Sequence, residues 1–390
     1  MGLDAIARER RLVLACACPS PPDAQRARIA ALCDAGVDWD EVDAFARRHG
    51  LLPLVFRHLS AIVPGRIPRP RYAEWWAACE ELARRNVERF RELEDIVRTL
   101  AAEAIVAIPY KGPTLAMEAY GDLGLREFVD LDLLVAPSAV RRAVGILTRG
   151  GYRSALSLSS EAEQALVTRS RHYEWPLLHE ATGRLVELHW RADPEYRVLD
   201  LESPPARLPP SVHALVLLLH GTKHSWSRLA WLADVAALAH AMPLDWEWIS
   251  RESRRLGCVR QVALGLRLAQ DLLGMPPPAP FAADVRGRVV ARVAGEIARE
   301  TCGESDEVTV ARGLSRNFAL RTGMRAKAAY AWRSLAAPGL GEWQRWDLPA
   351  PLAGLYWLLR PWRLAEKYLL RRTPPAATPR TPPPRPRSTG

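Results

Sequence analysis

The residues best suited to chemistry lie in the stretch Arg126-Glu127-Phe128-Val129-Asp130-Leu131-Asp132-Leu133-Leu134-Val135. Two aspartates at i and i+2 on a strand project from one face, their Cα atoms about 6.5 Å apart at a rise of about 3.3 Å per residue. Such a pair can hold Mg²⁺ through oxygen, and two ions about 3.5–4 Å apart form the clamp of in-line phosphoryl and nucleotidyl transfer. Asp130 and Asp132 open an otherwise apolar strand, where like charges repel unless a cation or solvent intervenes. Glu187, between Val186 and Leu188 on a later apolar run, is a third carboxylate whose burial calls for a metal or a basic partner.

Upstream, Tyr110-Lys111-Gly112-Pro113-Thr114 follows an expected strand and opens a helix. A glycine there lets the backbone approach a phosphate, and a helix N-terminus adds donors and positive potential. Lys111 and Arg126 would neutralise a triphosphate, with Gly112 and Thr114 contributing from the loop. Further on, His220, Lys223 and His224 share a helix face at i, i+3 and i+4 and would contact the nucleotide or its acceptor. The plainer reading packs them on the core with a hydrogen bond to Asp234; as a histidine pair without a nearby third ligand they make a poor zinc site.

These residues need a scaffold that changes period along the chain. Residues 1–100 read as a helical region, with Asp38 capping one helix and a longer one over 72–100 burying Trp76, Leu82, Val87, Phe90, Leu93 and Val97. Short apolar runs at 104–108, 131–135 and 185–190, with a helix from about 138 to 148, mark a small α/β core over 101–203. Helical patterns return at 211–220, 229–241, 246–256 and 260–273, and again around 285–299, giving a helical domain over 204–303 and a helical, aromatic segment over 304–370. Seven prolines in 371–390 predict a disordered tail. The fold class is therefore α+β, a small mixed-sheet core flanked by N- and C-terminal helical regions.

Bulk composition excludes little. Net charge is +10, but five arginines and no acid lie in residues 371–390, so a nucleic-acid-binding face is not favoured. The six cysteines have no metal-ligand spacing and read as reduced, mostly buried thiols. The apolar run ending at Cys16 is too short for a signal segment and no run is long enough to span a membrane, which predicts a cytoplasmic protein. Most of the 14 tryptophans fall at helical spacing and read as core. There is no GxxxxGK[ST], HExxH or GxSxG, which removes the common ATPase, zincin and α/β-hydrolase readings.

The order Lys111-Gly112, Tyr120-Gly121-Asp122, Arg126, Asp130-Leu131-Asp132 and Val186-Glu187-Leu188-His189-Trp190 resembles the uncharacterised bacterial nucleotidyltransferases of the polymerase-β-like superfamily. The segments His220-Gly221-Thr222-Lys223-His224 and Arg228 to Asp234, and the closing region from Tyr356 to Tyr368, extend the likeness over roughly 10–370. The resemblance implies a mixed-sheet catalytic core, a glycine-containing phosphate loop, a DxD pair and a third acid on a neighbouring strand. It further implies a divalent cofactor, Mg²⁺ with Mn²⁺ as the alternative, and a nucleoside triphosphate donor. The acceptor would be a small molecule, a peptide or an RNA end. Two features depart from the superfamily pattern: Gly112 is followed by Pro113, which removes a backbone donor, and the third acid is Glu187 where Asp is frequent. A rival reading keeps the fold and the nucleotide but not the turnover.

Overall fold

Five short strands, β1 (Ala107–Pro109), β2 (Asp130–Val135), β3 (Tyr152–Ser154), β4 (Glu174–His179) and β5 (Leu185–His189), form one mixed sheet in the order β1-β2-β5-β4-β3. The β2–β5 pair is parallel and the other three pairs are antiparallel. Residues 6–366 are described by this computed structural model, apart from 171, 304–308, 347 and 349; the expected tail over 371–390 lies outside the described residues.

Helices surround the sheet. Four short ones, α1 (Arg8–Cys16), α2 (Asp23–Asp34), α3 (Trp39–Arg48) and α4 (Leu52–Ile62), precede the 34-residue α5 (Arg69–Ala102). Asp38 caps α3 by accepting from the backbone N–H of Asp40 and Glu41. After β1 come α6 (Gly112–Leu115) and a π-helical turn (Ala116–Tyr120); α7 (Val140–Arg149) follows β2, and α8 (Ser160–Arg169) follows β3. Beyond the sheet run α9 (Pro210–Lys223), α10 (Leu229–Ala241), α11 (Trp246–Arg255), α12 (Val259–Leu273) and α13 (Arg288–Thr301), then α14 (Val310–Leu320), α15 (Gly323–Ala336), α16 (Leu340–Arg345) and α17 (Tyr356–Ala365). The fold is α+β with a small mixed sheet flanked by helices, as the sequence implied.

Strand alternation divides the interior into two cores. Leu131, Leu133 and Val135 of β2, with Val186 and Leu188 of β5, point to one face and pack with α5, α7 and α8 through Leu93, Ile96, Val140, Leu147 and Leu166. The opposite face carries Asp130 and Asp132, with Leu134 joining the larger core built around α9, α10 and α12. The acids therefore face the helical layer rather than bulk water.

Several expected elements shift. The strand expected at 104–108 starts at Ala107, because Ala104 adopts φ 55° and the Ile105 N–H donates to the Leu100 carbonyl, a turn that closes α5. The buried stripe of α5 is Trp75, Leu82, Asn86, Leu93, Ile96 and Leu100, whereas Trp76 and Val87 are exposed and Phe90 and Val97 half-buried, so the expected stripe is displaced by one residue at three points. Asn86 occupies the buried position because its side chain donates to the carbonyls of Leu123 and Arg126, ahead of β2.

The end of α9 is fixed by a tight packing contact. Ser225 and Trp226 turn the chain through two left-handed residues, φ 53° and 51°, and send the Trp226 indole back between Gly221 of α9 and Gly265 of α12. A Cβ on Gly221 would come within 2.4 Å of the ring. Gly221→Ala is therefore expected to lower stability by about 1–3 kcal/mol through overpacking. Gly295→Ala on α13, where an added Cβ meets nothing within 4 Å, is expected to leave stability unchanged or raise it. Calorimetric melting of both variants checks the contrast; a Gly221→Ala variant as stable as the wild type would remove this account of the turn.

Candidate active site

The register of β1 and β2 brings a lysine to the acids. Because Pro109 lies opposite Leu133, the residues leaving β1 run back along the start of β2. The Tyr110 N–H donates to the Asp132 carbonyl, and Lys111 Nζ reaches Asp132 Oδ1 at 3.1 Å. Gly112 follows at φ 50°, where an added Cβ would stand 3.2 Å from the Asp130 carbonyl oxygen. The glycine is thus required by a left-handed backbone pressed against β2. It opens only one helical turn before the π-helical turn carries Tyr120 toward α10.

The parallel β2–β5 pairing supplies the third acid. Asp132 and Glu187 are register partners, so both side chains leave the same face of the sheet. Two residues on, β5 presents His189 on that face. Its Nε2 lies 2.9 Å from Asp132 Oδ1 and 3.4 Å from Glu187 Oε2. Asp132, Glu187 and His189 offer three ligand atoms within 4.8 Å of one another. Asp130 stands at the rim of this group, one strand repeat before Asp132.

Electrostatics separate the two aspartates. Burial, then the charges of Asp132 and Glu187, push the Asp130 carboxyl up to about 6. For Asp132 burial acts in the same upward direction, but Lys111 and His189 outweigh it and hold the carboxyl well below its usual range. The converging ligand atoms are compatible with a divalent cation, in a group whose negative charge exceeds what Lys111 can balance.

Above the acids lies a cavity of about 670 Å³, within the range of small-molecule sites. Its far wall is the end of α9 and the start of α10. His220 and His224 lie 4.7 Å apart between ring centroids, and each packs on Trp231, at 5.3 and 5.4 Å. Burial, reinforced by Lys111, keeps His220 far below the ordinary histidine value; burial and Lys223 bring His224 down to about 4. Both rings are therefore neutral at pH 7. Lys223 donates to the Tyr173 hydroxyl and lies over that ring.

Two of the expected phosphate-side residues, Arg126 and Thr114, sit differently from the rest. Arg126 lines the cavity, but its guanidinium is engaged by Asp234 in a two-pronged pair at 2.9 and 3.0 Å, to which the Tyr120 hydroxyl adds a bond at 2.8 Å. Its remaining Nη1 approaches the Gly112 carbonyl at 3.4 Å. Arg126 thus ties the Gly112 loop to Asp234, and Asp234 serves it instead of the histidine pair. Thr114 is half-buried and does not line the cavity. Lys111, Gly112, Asp130, Asp132, Glu187, His220, Lys223 and His224 all line it.

A family model matches the span of the chain that carries this site. The chain belongs to the uncharacterised nucleotidyltransferases. The family match covers residues 35–274, more than half of the chain, from just before α3 to the glycine that ends α12. No curated protein matches the chain. The matched span includes the sheet, the acids and the α9–α10 wall, whereas the closing region around α17 falls outside it.

Cavity-lining residues given no role from the sequence are Glu174, Tyr173, Arg85 and Arg89, and also His189, Arg228 and Trp231, which the sequence offered only within motifs. A same-face reading of Glu187-Leu188-His189, like that applied to Asp130-Leu131-Asp132, would have found the histidine.

Proposed function

We propose that this protein transfers a nucleoside monophosphate from a nucleoside triphosphate to an acceptor hydroxyl, releasing pyrophosphate. The observation that carries the proposal is the register pairing of Asp132 with Glu187, which gathers three carboxylates beside Lys111 on the floor of a cavity. In the reaction the acceptor oxygen forms a bond to the α-phosphorus as the bond to the pyrophosphate oxygen breaks. Asp130, Asp132 and Glu187 would hold the divalent cations, Mg²⁺ or Mn²⁺, which neutralise phosphate charge and make a bound hydroxyl more acidic.

The chain's own residues do the rest. Lys111 and Lys223 supply positive charge from opposite walls of the cavity. Neutral His220 and His224, with Trp231, give an aromatic wall suited to a nucleobase. Arg126 and Asp234 keep the Gly112 loop in place. A triphosphate donor fits a cytoplasmic setting, and among the described residues no helix is long and apolar enough to cross a membrane.

The rival, a nucleotide-binding protein without turnover, draws on Pro113, which removes a backbone donor from the loop. Calorimetric titration with each Mg²⁺-NTP, alongside pyrophosphate release from α-labelled NTPs offered with metabolite extract, peptide and RNA acceptors, separates the two. Label transferred with pyrophosphate release is the expected result. Tight binding of NTP with no release under any acceptor would favour the rival.

A further inference from the structure

We propose that His189 is itself a ligand of the divalent ion and that Glu174 is the positioning residue holding it from behind, so that the site is a mixed oxygen and nitrogen centre preferring Mn²⁺ to Mg²⁺. The inference rests on the reading that the carboxylates bind a metal. It goes beyond that reading by adding a donor of another chemical kind.

Three independent observations support the assignment. His189 is almost wholly buried and aims Nε2 into the acid group, 2.9 Å from Asp132 and 3.4 Å from Glu187. Its ring cannot easily turn away, because Tyr110 meets it edge-on and Tyr173 meets it at a tilt, both at 5.6 Å between centroids. Behind the ring, Glu174 is the register partner of His189 across the β4–β5 pair, and Glu174 Oε2 is 3.9 Å from Nδ1. Nδ1 is otherwise buried without a hydrogen-bond partner. A histidine that binds metal through one nitrogen almost always offers the N–H of the other to a carboxylate or carbonyl, which fixes its tautomer and orientation. A carboxylate placed behind Nδ1 is what that arrangement requires.

The chemical consequence is selectivity. Mg²⁺ favours oxygen donors and gains little from imidazole, whereas later divalent ions accept it readily, with affinity rising from Mn²⁺ onward. The nitrogen therefore discriminates between ions that three carboxylates alone would treat more evenly.

Pulsed electron paramagnetic resonance on the full chain loaded with MnCl₂ tests this directly. Nitrogen modulation from a coordinated imidazole is expected in the wild type, and labelling only the histidines with ¹⁵N should change that modulation. Titration with MnCl₂ and MgCl₂ should show His189→Gln losing the modulation and about 10–100-fold in Mn²⁺ affinity, with a smaller loss for Mg²⁺. Glu174→Gln should keep the modulation but bind Mn²⁺ more weakly. Bound Mn²⁺ without histidine modulation, no Mn²⁺ binding, or an undiminished Mn²⁺ affinity in a folded His189→Gln would overturn the proposal. The wild-type spectrum decides the question even if that variant does not fold. The histidine signature without NTP turnover would uphold His189 as a ligand and count against the transferase reading alone. Pyrophosphate release without the signature would remove His189 and leave that reading standing.

Discussion

Asp132→Asn is expected to reduce kcat/KM for pyrophosphate release on the order of 10²–10³-fold while leaving the fold intact. The substitution keeps the shape of the side chain and an oxygen in place beside Lys111 and His189, both of which contact Oδ1. What it removes is the formal charge at the centre of the donor set. Metal-mediated stabilisation of a phosphoryl transition state amounts to several kcal/mol, and each 1.36 kcal/mol corresponds to about tenfold in rate. Asp95→Asn on the exposed side of α5, where Asp95 pairs with Arg98, serves as the control. Steady-state kinetics on both, with melting curves to confirm folding, settle the point; an Asp132→Asn variant within a few-fold of wild type would mean that the acid group is not the reaction centre.

The largest effect on stability is expected at Asp234. Its carboxylate is almost fully buried and receives two bonds from Arg126 and one from Tyr120. Removing one partner of a buried ion pair strands the other charge, at a cost of about 3–5 kcal/mol. Asp234→Ala should therefore unfold at markedly lower denaturant concentration than the wild type. The double variant Arg126→Met with Asp234→Leu should recover part of the loss, because it removes the stranded guanidinium as well. If Asp234→Ala lost less than about 1 kcal/mol, the pair would be behaving like an exposed one and the brace on Gly112 would have to be sought elsewhere.

Legibility of the sequence followed the range of the interactions. The acids Asp130 and Asp132 were readable because they interrupt an apolar alternation, and the Lys111-Gly112 turn because it sits at the end of an apolar run. The strand β4 was not, since Pro176 argues against a strand interior. The proline falls where the β3–β4 ladder ends, just past the Ser154–Leu177 pair; its carbonyl still accepts from the Ala155 N–H, so only the return bond is lost. With β4 unseen, Glu174 and the reason for His189 were unseen too. The Arg126–Asp234 pair joins residues 108 positions apart, and no local pattern signals it. In sequence alone, Arg126 therefore reads as a cation free for a triphosphate.

The parallel pairing of β2 with β5 also bears on how the molecule matures. Parallel neighbours need a long crossover, and here α7, β3, α8 and β4 all lie between the two strands. Such distant pairings close slowly, because the entropy of the loop is lost before any contact rewards it. A cation site of the proposed kind would exist only once β5 has docked, and a nascent chain that has not yet delivered β5 presents two aspartates with nothing to share. Acquisition of the ion would then mark the completion of the sheet, so that chemistry begins only once the scaffold is whole.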